Sequence, residues 1–209
     1  MEKIQEPAKH SQPASIFIDG ENLLYSLLSV LIPEKLVDER ASLVKFDLIS
    51  FFIEATKENS KPIDIFYYGT KPHLVKDMGD EALEASTKML EHKQAWGQWL
   101  EKQKILFITA GNLKARQKKE GVVFQEKGVD VRIAVDMVKL AYETKNMHFI
   151  IASSDSDIIP ALRVVTEKGH KITYVAMTGS LNKAIAAHAN KTVTFTRQDI
   201  INSYKKVNE

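Results

Sequence analysis

The sequence predicts an α/β protein: a parallel sheet covered by helices on both faces. Three observations carry that expectation. Short apolar runs rich in Ile, Phe, Tyr and Val recur along the chain. Most are followed by a stretch with apolar residues at helical spacing. Acids also stand where several of the apolar runs end, which is where open α/β sheets place their sites.

The elements follow in order. "SIFID" (15–19) is a strand closed by an acid, and "GENLLYSLLSVL" has leucines at helical spacing before Pro33 interrupts. Residues 43–57 read as a helix with Leu43, Phe46, Ile49 and Ile53 on one stripe. Ile63 to Tyr68 form a second strand ending at Gly69. Residues 80–101 form a long amphipathic helix with acids in its first turn. A third strand covers 104–111. Residues 112–127 break the rhythm: they are charged, turn at Gly121, and read as a β-hairpin or a flexible loop. Helix 128–143 puts Ile133, Met137, Leu140 and Ala141 on one face. Strand 147–153 leads into "SSDSDIIPALRVVTEKG", a helix stopped by Gly169. A fifth strand (170–177), a helix (180–189), the short strand "TVTFT" and a closing helix from Arg197 complete the chain.

The 209 residues suit one domain, with residues 1–14 as a disordered lead and 15–209 as the folded unit. Hydrophobic content of 44% and charged content of 27% are ordinary for a globular protein. The chain has no cysteine, which excludes a disulfide framework, a cysteine nucleophile and a thiolate metal site. No run of about 18 apolar residues is present to span a membrane. The N-terminus lacks the apolar core of a secretory signal, so a cytoplasmic location is expected. A net charge of +2 is too small to argue for nucleic acid by itself.

The acids carry the chemistry. Asp19 ends the first strand, with Asn22 in the next turn; Asp155 and Asp157 follow the fourth; Asp130 opens the helix after the 112–127 insertion. Carboxylates with no histidine or cysteine beside them suit a hard cation such as Mg²⁺ or Mn²⁺. A cation so held can support phosphodiester hydrolysis by activating water and stabilising the leaving oxygen. Each acid also has a structural reading. Asp157, shortly before Pro160, is a fair helix cap; Asp155 suits a turn; Asp130 gains from the helix dipole. Asp136 lies four residues after Arg132, so a surface ion pair is favoured for it. Asp19 has little packing purpose at the end of an apolar strand.

"FIDGENLL", "KGVDVRIAVDMVKLAYE" and "FIIASSDSDIIPALRVVTEKGHKITYVA" resemble the NYN domain of the PIN-like nuclease superfamily, in its bacterial LabA-like branch. The resemblance covers roughly residues 15–196. It implies a PIN-like three-layer α/β/α fold with a central, mainly parallel sheet of about five strands. It also implies a metal-dependent ribonuclease whose Asp19, Asp130, Asp155 and Asp157 ligate Mg²⁺ or Mn²⁺ and serve catalysis. By the same resemblance Asn22 orients a ligand or phosphate, and Lys127 neutralises charge near the scissile phosphate. Asp136 and Ser154 would support the site from behind; Ser154 stands where glycine is common. PIN-like domains commonly pair, so a homodimer is expected.

RNA is the expected partner. Residues 112–127 carry Lys114, Arg116, Lys118, Lys119 and Lys127 against Glu120 and Glu126, a net three positive charges. Overhanging an acidic pocket, such a hairpin would grip phosphates. Lys71 and His73, after the second strand, can add a phosphate contact. Tyr67 and Tyr68 are read as packing rather than stacking residues, and Trp96 and Trp99 as core or as a dimer surface. Two rivals remain: a non-catalytic RNA- or protein-binding module, and a haloacid-dehalogenase-like phosphatase. The second is disfavoured because its "DxD" belongs after the first strand, not the fourth.

Overall fold

The computed structural model describes residues 13–38, 40–57, 62–72, 74–75, 78–118 and 121–208. The disordered lead expected over residues 1–14 lies outside the described residues up to position 12, and Ala14 already opens the first strand. His73, Lys119 and Glu120 also lie outside them.

The chain runs β1 (Ala14–Asp19), α1 (Gly20–Leu31), a 3₁₀ turn (Arg40–Lys45), α2 (Leu48–Thr56), β2 (Pro62–Gly69), α3 (Asp80–Lys102) and β3 (Leu106–Thr109). It continues with β4 (Asn112–Lys118), β5 (Gly121–Lys127), α4 (Val129–Glu143), β6 (His148–Ala152) and a 3₁₀ turn (Ser156–Ile158). Then come α5 (Ile159–Glu167), β7 (Lys171–Met177), a 3₁₀ turn (Thr178–Ser180), α6 (Lys183–Ala186), β8 (Lys191–Phe195) and α7 (Arg197–Asn208). Six strands form one sheet in the order β3-β2-β1-β6-β7-β8, and every pair in it is parallel. The expected α/β sheet is present with one strand more than about five, because the short "TVTFT" run joins it as an edge. Among the described residues no helix is long and apolar enough to cross a membrane.

The alternation of β1 explains the layers. Every residue of β1 is buried, as a central strand covered on both faces requires. Ile16 and Ile18 point into one core with Leu23, Leu27, Phe51, Phe52 and Ile200. Phe17 points the other way, among Phe149, Ile151, Met137 and Leu162. The Phe17 ring lies 5.5 Å from Phe149 and 5.3 Å from Phe66, centroid to centroid. Tyr67 and Tyr68 are both buried, as packing residues should be. Trp96 is buried, and the Trp99 indole donates to the carbonyl of Phe46 at 2.7 Å, so both belong to the core.

Three boundaries differ from the sequence expectation. The helix expected over 43–57 is split, because Asp47 caps α2 by accepting from the amide of Ser50 at 3.0 Å. The third strand shrinks from 104–111 to Leu106–Thr109, with Lys104 at a positive φ of 59° on its approach. The helix expected over 180–189 is a single turn, Lys183–Ala186, because Asn182 caps it. The 112–127 segment takes the hairpin alternative: β4 and β5 pair antiparallel, from Asn112 opposite Lys127 to Lys118 opposite Gly121. Gly111 stands at its base with φ +65°, where a Cβ would collide with the carbonyl of Lys127.

Candidate metal centre

The strand order reverses direction between β1 and β6, so their carboxyl ends form the crevice where open α/β sheets bind ligands. Ile18 pairs with Ala152, which sets Asp19 beside Ser153. The β1–α1 turn is tight. A Cβ on Gly20 would lie 2.5 Å from the carbonyl oxygen of Tyr68, so only glycine lets α1 leave the strand at this angle. The Tyr67 hydroxyl fastens the turn by donating to the Gly20 carbonyl at 3.1 Å.

Asp19 is 5% exposed and caps α1. Its carboxylate accepts from the Asn22 amide at 3.2 Å, from Asn22 Nδ2 at 2.5 Å and from Ser153 Oγ at 3.2 Å. The cap is the packing purpose that strand position alone does not reveal. Burial raises its pKa above the ordinary aspartate value, while the bonds from Asn22 and Ser153 pull the other way. Asn22 is engaged on both sides, since its Oδ1 also accepts from Ser154 Oγ. It therefore orients Asp19 and ties the β1–α1 turn to the loop after β6.

That loop carries the other arm. The Asp155 amide donates to Ser153 Oγ at 3.2 Å, and Asp155 Oδ1 accepts from the Asp157 amide at 3.0 Å. Asp155, not Asp157, is thus the capping residue of the 3₁₀ turn, which leads straight into α5 with Pro160 in its first turn. The Ser154 carbonyl accepts from Asn182 Nδ2 at 3.0 Å, which pins the loop to the segment after β7. Asp130 lies in the first turn of α4.

The fold brings three of these acids together. One oxygen from each of Asp130, Asp155 and Asp157 lies within 4.8 Å of the others. Asp157 is exposed and Asp130 half-buried, so the group opens to solvent. Asp19 is not in that group but joins it through Ser153. An all-carboxylate set without nitrogen or sulfur donors fits a hard divalent cation, which would offset the repulsion of three like charges.

A second network lies on the other side of Asp19. Lys93 of α3 donates to the Thr70 carbonyl at 3.2 Å, to Thr70 Oγ1 at 3.0 Å and to Glu126 of β5. Glu21 lies 3.6 Å from the same ammonium. The Lys93 and Glu126 side chains are only 13% and 15% exposed, so this pair is screened little by solvent. It clamps the hairpin onto α3 and the end of β2. Glu126 also adds negative potential at Asp19, the last of the causes raising its pKa.

The sequence counts Glu126 only as a countercharge within 112–127, and the structure adds its pairing with Lys93. Hairpin alternation carries the signal: Glu126 is opposite buried Leu113, on the inward face. Ser153, Lys93, Thr70 and Asn182 escape a sequence reading altogether, since serine, lysine or threonine in isolation carries no distinguishing signal.

The basic residues fall on the hairpin's outer face. Lys114 and Arg116 of β4 and Lys127 of β5 are all exposed, on the side opposite Leu113. Lys71 is exposed just past β2, in a depression it shares with Lys93 and Phe107. Asp136 makes the expected ion pair, with Arg132 Nε donating to its two oxygens at 2.9 and 2.8 Å. Its Oδ2 also accepts from the buried Tyr68 hydroxyl at 3.2 Å, which ties α4 to the end of β2.

A sequence model of the family described as "NYN domain" matches residues 13–196. A crystal structure of a protein of unknown function from Vibrio parahaemolyticus superposes with a TM-score of 0.54 at 14% identity, covering 91% of this chain and 96% of that one. This likeness is one of fold. Phosphoglycerate kinase from Coxiella burnetii reaches a TM-score of only 0.41 at 12% identity, over 97% of this chain and 52% of the kinase. No curated protein matches the chain in sequence.

Proposed function

We propose that this chain, which belongs to the NYN domain family, is a divalent-metal-dependent ribonuclease that hydrolyses phosphodiester bonds in RNA. The family is one of nucleases with a PIN-like fold, and the six-stranded parallel sheet accords with it. The observation that carries the reading is the meeting of Asp130, Asp155 and Asp157 within 4.8 Å at the sheet's switch point.

These three carboxylates would hold Mg²⁺ or Mn²⁺, with Asp19 contributing directly or through water. Such a cation would supply an activated water and would offset charge on the leaving oxygen. The chain's own groups set the stage. Ser153 links Asp19 to the Asp155 backbone, and Asn22 with Ser154 holds the two strand ends in register. Lys127 ends the hairpin just before α4 begins, so it reaches phosphate close to Asp130. Lys114, Arg116 and Lys71 extend the positive surface along the RNA backbone. Two copies are proposed to pair, for which Val131, Val135 and Tyr142 of α4 offer apolar surface at 60, 56 and 65% exposure; light scattering reads that state directly.

The testing experiment incubates the protein with a labelled structured RNA in Mn²⁺, Mg²⁺ or EDTA. Fragments in the metal lanes and none in EDTA are expected. Intact RNA in every lane, with binding retained, would replace this reading by a non-catalytic RNA-binding module. Replacing Lys114, Arg116 and Lys127 together by alanine should weaken RNA binding at every sequence tested. Because each phosphate contact contributes about 0.7 to the salt slope on single strands, log Kd against log salt should flatten by about two units. An unchanged slope would remove the hairpin from the RNA path.

A further inference from the structure

Beside the acidic group lies a cavity of about 260 Å³ that the chemistry above does not use. It sits between α1 and the carboxyl ends of β6 and β7. Its floor is apolar, made by Ala152, Val175, Ala176 and Met177. Its rim carries short hydroxyls, among them Ser26 and Ser180. Asn22, Ser153 and Ser154 line it too: Asn22 and Ser153 donate to Asp19, Ser153 accepts from the Asp155 amide, and Ser154 donates to Asn22. At the mouth stands Tyr25, an aromatic ring 77% exposed on α1, although the same helix buries Leu23, Leu24, Leu27 and Leu31.

We propose that this cavity is a nucleobase subsite that takes one unpaired base of the RNA, with Tyr25 as its stacking face. The inference rests on the ribonuclease reading and adds the class of substrate to it. The volume is below the about 300–1,000 Å³ of pockets that hold larger ligands, which suits a single ring system. A base has apolar faces and a hydrogen-bonding edge, and the cavity has an apolar floor and a hydroxyl rim. Ser153 and Ser154, which line the cavity, immediately precede Asp155 in the chain, so the sugar–phosphate of a seated base would lie towards the carboxylates. A base inside an A-form duplex cannot reach such a cavity, so the substrate presents an unpaired segment there. The nearness of Ser153 and Ser154 to the acidic group also favours a base over a peptide side chain.

The test uses the full chain and a single-stranded oligoribonucleotide carrying one 2-aminopurine, with Ca²⁺ in place of Mn²⁺. Binding is read by fluorescence quenching, and folding of each variant by circular dichroism. The wild-type protein and Tyr25→Phe are expected to quench the probe. Tyr25→Ala, which removes the ring, and Ser26→Trp, which fills the cavity, should both lose the quench and weaken binding about tenfold. The same oligonucleotide annealed into a duplex should give no quench. Wild-type affinity and quench in both variants would overturn the subsite while leaving cleavage, measured separately with Mn²⁺, to stand. Failure of the wild-type protein to bind any RNA would overturn the subsite and the ribonuclease reading together.

Discussion

Replacing Asp155 by asparagine is expected to lower metal-dependent RNA cleavage at least about a hundredfold, since on the proposed reading it would help hold a cation worth several kcal/mol to the transition state. The fold should persist. An amide oxygen at this position can still accept from the Asp157 backbone N–H, so the 3₁₀ turn keeps its cap. The substitution also removes one of three mutually repelling charges, so the metal-free protein should be as stable as wild type or more so. A second readout separates lost ligation from a lost fold. Mn²⁺ should raise the melting temperature of the wild-type protein, because it binds the native state alone, and should raise that of the variant much less. Wild-type cleavage by the purified variant would remove Asp155 from the chemistry.

The second large effect concerns the scaffold. Phe17→Ala should cost about 3–5 kcal/mol of stability, the usual range for truncating a fully buried aromatic. Phe17 is 1% exposed on the central strand and packs against Phe66, Tyr68 and Phe149. Those neighbours belong to the two strands that flank β1, one on each side, so they cannot close together around the void. At about 2–4 °C per kcal/mol for a chain of this size, the melting temperature should fall by roughly 10 °C. Denaturant midpoints at an unchanged m-value would check the same number. A loss under about 1 kcal/mol would mean that the sheet relaxes around the gap.

Local rules made most of the elements legible. The strands of "SIFID" and "HFIIA", the leucine spacing of α1 and the long α3 are written in periodicity that needs no partner. Expectation and structure part where side-chain bonding outweighs periodicity. Asp47 and Asn182 each accept backbone amides and restart a helix that the apolar pattern would continue. At the candidate site, the positions of Asp19, Asp130, Asp155 and Asp157 at element ends could be read from the chain. Their mutual distances could not, because they are separated by crossovers whose geometry no short motif encodes.

The sequence by itself determined the α/β pattern, the family motifs and an acid repertoire free of histidine and cysteine ligands, because these depend on residue type and on near-neighbour spacing. Only the tertiary structure decided the rest. It placed Asp130 against Asp155 and Asp157 while seating Asp19 one step away, buried under Asn22 and Ser153. It turned Glu126 inward onto Lys93 and left Lys114, Arg116 and Lys127 on the outer face. The physical reason is the same in each case. Right-handed crossovers bring distant strand ends into one crevice, and the strand register chooses which side of the hairpin each charge occupies.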